Sequence, residues 1–242
     1  MKKLLALTAL TFSFVTSSFG QTTPTDPYPK KSSKIYTSSS LDGALFSIST
    51  PTYSGVKNVP RFSYFVNSGM YVNKDFSNHF GMYMGIGVKN LGFIEKTTIA
   101  TTSVTIKHRV YAVGVPLGFK IGNLAPKGTF GLLGGGVDFP TNYKEKVFTD
   151  GRKNKNKSNE WFSDKVNPIL PYVFAGISLK GNFTIRLQYY PGNFMNQEYK
   201  DGMGVKIYAN RETHIALLSL SFNVKNNSNG KMKESFKKMF KK

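Results

Sequence analysis

The sequence predicts an all-β fold, an eight-stranded antiparallel up-and-down transmembrane β-barrel. Three observations point to it. Several segments alternate apolar and polar residues with the period of two that a pleated strand imposes. In the clearest, Phe183, Ile185, Leu187 and Tyr189 share one face, and Asn182, Thr184, Arg186, Gln188 and Tyr190 the other. That apolar face runs aromatic, aliphatic, aliphatic, aromatic, the order of a strand crossing a bilayer with rings at both interfaces. Finally, the connections alternate between turns of about three to seven residues and loops of about ten to twenty-five, as in barrels with short turns on one side of the membrane and long loops on the other.

Composition fits this class. Of 242 residues, 23 are Gly, and Phe and Tyr together number 33, a mixture that suits closely packed barrel strands. After the N-terminus no apolar run is long enough for a membrane helix. The chain has no cysteine, which excludes disulfides, cysteine metal sites and a lipoprotein anchor on the signal segment. The net charge is +20. Anionic lipid, lipopolysaccharide or another acidic partner would suit it. Nucleic acid is not expected, because the N-terminus directs the chain out of the cytoplasm.

The elements follow in order. Residues 1–20 read as a cleaved secretory signal, with Lys2 and Lys3 before the apolar run Leu4 to Val15, and Ser18-Phe19-Gly20 at the cleavage site. Residues 21–40, rich in Thr, Ser, Pro and Lys, are expected to be a flexible lead-in. The barrel is expected to occupy 41–224. Leu41 to Ser49 is a weak first strand, Thr50 to Val59 a loop, and Pro60 to Val72 the second strand. His79 to Asn90 alternates cleanly and is expected to change register near Leu91 on its way to Phe93. Glu95 to Ser103 reads as a Thr-rich loop. In Val104 to Ile121, Tyr111, Val113, Val115, Leu117, Phe119 and Ile121 share a face, and Pro116 should mark a bulge or an unpaired position. Thr129 to Pro140 is a glycine-rich strand. Thr141 to Val166 reads as the longest loop, basic at its centre. Asn167 to Gly192 is a hairpin turning at Lys180-Gly181-Asn182. Asn193 to Arg211 is a loop in which Gly204 to Ala209 could continue a strand, and Thr213 to Val224 closes the barrel. Residues 225–242 form a basic tail whose Met232, Phe236, Met239 and Phe240 are spaced for a short amphipathic helix.

The signal segment, VGVPLGFKIG at Val113 to Gly122, the following GTFGLLGGGV and the closing hairpin together resemble the outer-membrane β-barrel domain of Bacteroidota, the PorT-like family. Pro116-Leu117 matches the Pro-Leu pair of a central strand in that group. The resemblance covers roughly residues 41–224. It implies an outer-membrane location and an eight-stranded barrel, and it carries no shared activity.

An eight-stranded barrel is just wide enough for side chains to fill it. Lys89, Lys120, Asp138, Arg186 and Gln188 are therefore expected to form an interior polar network rather than line a pore. Phe62, Tyr64, Phe80, Tyr111, Phe119, Phe183, Tyr189 and Phe222 are the expected interfacial rings. His79, His108 and His214 are too widely spaced for a metal motif, and interfacial positions account for all three. No catalytic residue, metal site or cofactor site is expected. Lys144 to Lys165 carries seven Lys or Arg against four Asp or Glu and reads as a solvated mobile loop, with contact to lipopolysaccharide phosphates as the functional alternative. The leading expectation is a small, non-enzymatic outer-membrane barrel with a binding, scaffolding or secretion-accessory role. Its lipid partners are the outer-membrane lipids and lipopolysaccharide, and a protein partner could meet the outer loops or the basic tail. One rival is a lipid-modifying enzyme built on Ser103, His108, Glu212 and His214. The other is a soluble lipocalin-like carrier, against which the only Trp, Trp161, lies outside a Gly-x-Trp motif.

Overall fold

A computed structural model describes residues 34–50, 55–63, 67–125, 127–180 and 182–226. The signal segment, residues 21–33, Tyr64 and the tail beyond Asn226 lie outside the described residues. Eleven strands follow one another: β1 (Lys34–Thr50), β2 (Val56–Val59), β3 (Arg61–Ser63), β4 (Asn67–Asp75), β5 (Phe80–Ile99), β6 (Thr102–Gly122), β7 (Phe130–Thr149), β8 (Arg152–Trp161), β9 (Leu170–Ser178), β10 (Phe183–Tyr190) and β11 (His214–Asn226). Eight of them, β1, β4, β5, β6, β7, β9, β10 and β11, bond in a ring. The ring closes antiparallel between β1 and β11, from Thr37↔Asn226 to Thr50↔His214. Closure removes the open sheet edges that a hydrocarbon environment does not tolerate.

The faces are inverted relative to a water-soluble protein. Along β10, Phe183, Ile185, Leu187 and Tyr189 are exposed while Thr184, Arg186, Gln188 and Tyr190 are buried. Leu187 is 56% exposed and the neighbouring Gln188 only 2%. The outward faces of β4, β5, β6 and β11 repeat this with Met70, Val72, Met84, Ile86, Val88, Leu117, Leu218 and Leu220. A soluble carrier of an apolar ligand would turn the greasy face inward, so the inversion tells against the carrier rival.

Aromatic rings bracket this aliphatic zone. Near the end that holds both described chain ends, the terminal end, Phe80 lies 5.7 Å from Phe76 and 6.0 Å from Phe119. Phe183 and Phe222 pack at 5.3 Å. Toward the far end, Phe46 meets Phe62 at 4.8 Å, and Tyr111 and Tyr189 lie at similar positions on their strands. From Phe119 to Tyr111 is about 27 Å of strand, or ~20 Å of height at the usual barrel tilt.

Several expectations change. β1 begins at Lys34, so residues 34–40 belong to the barrel and not to a flexible lead-in. The register shift between Asp42 and Ala44 resets the faces of β1, and Leu41, Phe46 and Ile48 do not alternate simply. Of the second strand the described residues are β3 and β4, and β4 runs on past Val72 to Asp75. Near Leu91 the register does not change: β5 pairs with β6 in constant register from Phe80↔Ile121 to Ile99↔Thr102. The polar stretch 95–103 is strand except for a tight turn at Ala100 and Thr101, where Ala100 has φ 54°. β7 likewise runs on to Thr149 and turns back as β8, so the basic segment is a β-hairpin standing beyond the barrel. Gly204 to Ala209 is bend and turn with one isolated bridge, Lys206 to Lys200, and does not continue a strand. Pro116 keeps its place opposite Gly136, but the ladder to β5 lapses at Val115 and Pro116. The register shift of β6 lies instead between Tyr111 and Ala112.

One seam in the wall is held by side chains. The β4–β5 ladder stops at Ser68↔Val88. Beyond it, β3 stays with β1 and β2 with β5. Asn67 Oδ1 accepts the Asn90 backbone N–H at 2.8 Å, Arg61 donates to Asn90 Oδ1 at 2.8 Å, and the Ser47 hydroxyl donates to the Gly92 carbonyl at 2.6 Å. These bonds satisfy backbone and amide groups that the lapsed ladder leaves open.

Candidate functional site

The inward positions build a packed, charge-balanced interior. Lys89 on β5 reaches Asp138 on β7, with Nζ 2.9 Å from Oδ1 and 3.1 Å from Oδ2. The Tyr190 hydroxyl donates to Asp138 Oδ2 at 2.6 Å, and the Lys89 ammonium sits 3.6 Å from the centre of the Tyr172 ring. Asp138 is fully buried. It fits because residue 114 is glycine: a Cβ there would lie 2.1 Å from Asp138 Oδ1.

A second cluster lies nearer the terminal end. Lys120 on β6 donates to Asp75 Oδ1 at 2.5 Å, to Tyr36 Oη at 2.9 Å and to Asn73 Oδ1 at 3.1 Å. Between the clusters, the buried Arg186 guanidinium lies over the Phe174 ring at 5.4 Å and is hydrogen-bonded with Tyr71. Lys89, Lys120 and Arg186 thus share this half of the interior with Asp138, Asp75 and Asp42. Gln188 is buried beside them. At the terminal end a cavity of about 80 Å³ remains, lined among others by Tyr36, Lys120, Arg186 and Lys225.

The far half of the interior is filled differently. Leu91, Phe93, Val110, Ala112, Leu170, Ile215 and Leu217 point inward from the strands. Phe194, Met195 and Tyr208, from the connection between β10 and β11, pack onto them. Phe93 and Phe194 meet edge to face at 5.5 Å. The connection is pinned by Phe194 N–H to the Thr213 carbonyl at 2.7 Å and by Asn167 N–H to the Phe194 carbonyl at 3.0 Å. It acts as a plug. Its signal in the sequence is the apolar pair Phe194-Met195 directly after Pro191-Gly192-Asn193.

His108 is not interfacial. It is buried under this plug, with Nδ1 2.8 Å from the Tyr143 hydroxyl. Its ring lies 4.7 Å from Phe93, and Glu95 and Glu145 stand 3.5 and 3.8 Å away. His79 is exposed at a turn and His214 is half-buried on β11. Ser103 is five residues from His108 on the same strand, about 16 Å away, and its backbone N–H donates to Asp150 Oδ1. His214 Nε2 stands 3.9 Å from Glu212, beyond a hydrogen bond. Ser103, His108, His214 and Glu212 therefore do not assemble the relay a nucleophilic hydroxyl requires.

Of the expected interfacial rings, Phe62, Phe80, Phe119, Phe183, Tyr189 and Phe222 are exposed, Tyr111 is half-exposed, and Tyr64 falls outside the described residues. Above the far ring, β7 and β8 form the protruding basic hairpin. Its base is held by Glu160, which accepts hydrogen bonds from Lys165 Nζ at 2.7 Å, from the Ser163 hydroxyl at 2.5 Å, and from the Ser158 hydroxyl. Partial burial would raise its pKa. The hydrogen bonds from Lys165, Ser158 and Ser163, with the charge of Lys165, outweigh that and lower it to about 2.

No family model matches the chain, and no curated protein matches it. Among solved structures it is similar to Neisserial surface protein A (NspA), at 13% identity and TM-score 0.36, over 81% of this chain and 100% of that one. It is also similar to Ail, the attachment invasion locus protein of Yersinia pestis, at 16% identity over 78% of this chain and 99% of that one. The TM-score is 0.31 for Ail alone and 0.30 for Ail in complex with the heparin analogue sucrose octasulfate. Likeness at these scores carries no argument about role. The barrel stands on the closed ring of strand pairs.

Proposed function

We propose that the chain is a small integral outer-membrane barrel that acts through its far-end surface, in a non-enzymatic binding, scaffolding or secretion-accessory role. One observation carries this reading: the outward faces are apolar between two aromatic tiers, while the inward faces hold the charges. Such a distribution is stable only where hydrocarbon surrounds the wall. Interior filling supports a surface role, because Lys89, Asp138, Tyr190 and the Phe194 plug occupy the lumen an open channel would need.

The membrane orientation follows from export. An export signal at residues 1–20 delivers the chain to the periplasm, so the terminal end with its short turns stays periplasmic and the basic hairpin faces outside. Lipid and lipopolysaccharide are the immediate partners, and a protein partner would meet the outer hairpins or the basic tail. Kinship with PorT-like barrels is part of the same proposal and rests on the Val113 to Gly122 stretch.

The test is fractionation of cells expressing the full chain. The protein is expected in the outer membrane, resistant to carbonate and urea, and with a mobility on gels that changes on heating. Recovery in the soluble fraction after osmotic shock without detergent would refute the reading. In planar bilayers the folded protein is expected to show no sustained conductance, and steady channel openings would refute the filled interior.

A further inference from the structure

Cations crowd one place on the far rim. In the β6–β7 register Lys107 lies directly opposite Lys146, and Arg109 directly opposite Lys144. All four project outward, since His108 and Glu145, the residues between them, meet inside the barrel. Like charges directly opposed across an antiparallel ladder destabilise it, and here two such pairs are adjacent. The mostly buried Arg61 of β3, held by its hydrogen bond to Asn90 Oδ1, stands beside them. With Phe62 these residues line a groove of about 310 Å³.

The acids on these strands face the other way. Glu95 and Glu145, on the same pair of hairpins, turn inward toward His108. Among the described residues no ion pair joins Lys107, Lys144 or Lys146 to a carboxylate. On these strands the two carboxylates therefore face inward, where Arg211 also stands 3.7 Å from Glu95, while Lys107, Arg109, Lys144 and Lys146 face outward.

That level is informative. Arg109 lies over the ring of Tyr111 at 4.9 Å, and Tyr111 is followed on the same face by Val113, Val115 and Leu117. The groove thus begins where the aromatic tier ends, at the depth of lipid headgroups. The Lys107 ammonium also sits 4.7 Å from the ring centre of Phe148, so the patch has apolar walls as well as charge.

We propose that this groove binds the phosphate groups of lipid headgroups in the leaflet at the far end of the barrel. An anion between the two pairs turns mutual repulsion into shared attraction. Guanidinium groups offer phosphate paired hydrogen bonds and ammonium groups offer point charges. The proposal rests on the reading that the barrel spans a membrane. Depth and the flanking rings favour a lipid phosphate over a soluble anion.

The full chain, folded into phosphatidylcholine nanodiscs, is titrated with bis-phosphorylated lipid A, with its dephosphorylated counterpart, and with inorganic phosphate. Bound lipid is counted by native mass spectrometry, and thermal unfolding is followed in parallel. Phosphorylated lipid A is expected to be retained at least about tenfold more tightly than the dephosphorylated form, a difference of ~1.4 kcal/mol. Lys107→Gln with Lys144→Gln, which leaves one cation in each pair, is expected to abolish that preference. Without phosphorylated lipid the same variant is expected to be at least as heat-stable as the parent, because the repulsion is relieved. Equal retention of both lipids, or an unchanged preference in the variant, would overturn the site and leave the barrel reading standing. Displacement of the lipid by inorganic phosphate at equal concentration would overturn the lipid assignment in favour of a soluble anion. A chain that never enters the nanodisc would overturn both the site and the membrane reading. A variant that loses heat stability in phosphatidylcholine alone would show the lysines to be structural and would overturn the proposal.

Discussion

Replacing Lys89 by Met tests how the interior is held together. Asp138 is fully buried and receives hydrogen bonds from Lys89 and Tyr190. Lys89→Met removes the ammonium at 2.9 Å and leaves a buried carboxylate with the Tyr190 hydroxyl. Breaking a buried pair from one side costs about 3–5 kcal/mol, because the remaining charge loses its compensation. That is roughly two to four decades in the unfolding equilibrium. Lys89→Met with Asp138→Leu removes both charges and is expected to recover most of the loss, short of the ~1–3 kcal/mol for an orphaned Tyr190 hydroxyl. Adding Tyr190→Phe should recover part of that remainder. The assay is reversible urea unfolding in detergent micelles, read by tryptophan fluorescence of Trp161 and by gel mobility. Additive single and double effects would refute the reasoning, since they would mean that Asp138 and Lys89 do not depend on one another.

Three further outcomes follow from the same geometry. Gly114→Ala forces a Cβ to 2.1 Å from Asp138 Oδ1 and is expected to cost about 1–3 kcal/mol in the same unfolding assay; an unchanged midpoint would mean that the carboxylate moves freely. Leu187→Arg puts a charge on the lipid face near mid-belt and is expected to cost ~2–4 kcal/mol, whereas Tyr189→Arg, at the interface, should cost ~0–1 kcal/mol; equal effects in lipid vesicles would contradict the assigned depth. Glu160 is held at about 2, below the ordinary 4.5, so its anchoring of the β8 base is complete above pH 4.5 and fades as the pH falls from there through about 2. Backbone hydrogen exchange around 158–165 should therefore rise on acidification, and Glu160→Gln should remove most of that dependence, while a pH-independent exchange rate would refute the anchor.

Much of the barrel is legible in the sequence because a membrane demands a period of two on one face only. Arg186 and Leu187 are neighbours with opposite fates, and the strand pleat alone separates them. The pattern fails where that demand stops. Residues 95–98 and 102–103 are polar on both faces, so nothing in their hydropathy distinguishes strand from loop, yet they lie in strands that pair residue for residue beyond the belt. The same holds for β8, whose partners are set by the turn at Asp150 and Gly151. The sequence alone puts His108 at the interface, because its burial depends on a plug arriving from residues 194–208, far along the chain. The opposed lysines of the far rim were equally hidden: Lys107 and Lys146 become neighbours only through the β6–β7 register, and the segment holding Lys144 and Lys146 reads as loop until that register is known.

The inversion of faces is tested most directly on β10. The chain lacks cysteine, so single cysteines at Phe183, Thr184, Ile185, Leu187, Gln188 and Tyr189 can each carry an environment-sensitive fluorophore, with brominated lipid as the quencher. Labels at 183, 185, 187 and 189 are expected to be quenched by the lipid, most strongly in the middle of the strand, and labels at 184 and 188 to be spared. Uniform quenching along β10, or quenching at 184 and 188 in place of 185 and 187, would contradict a barrel with its greasy face in the membrane.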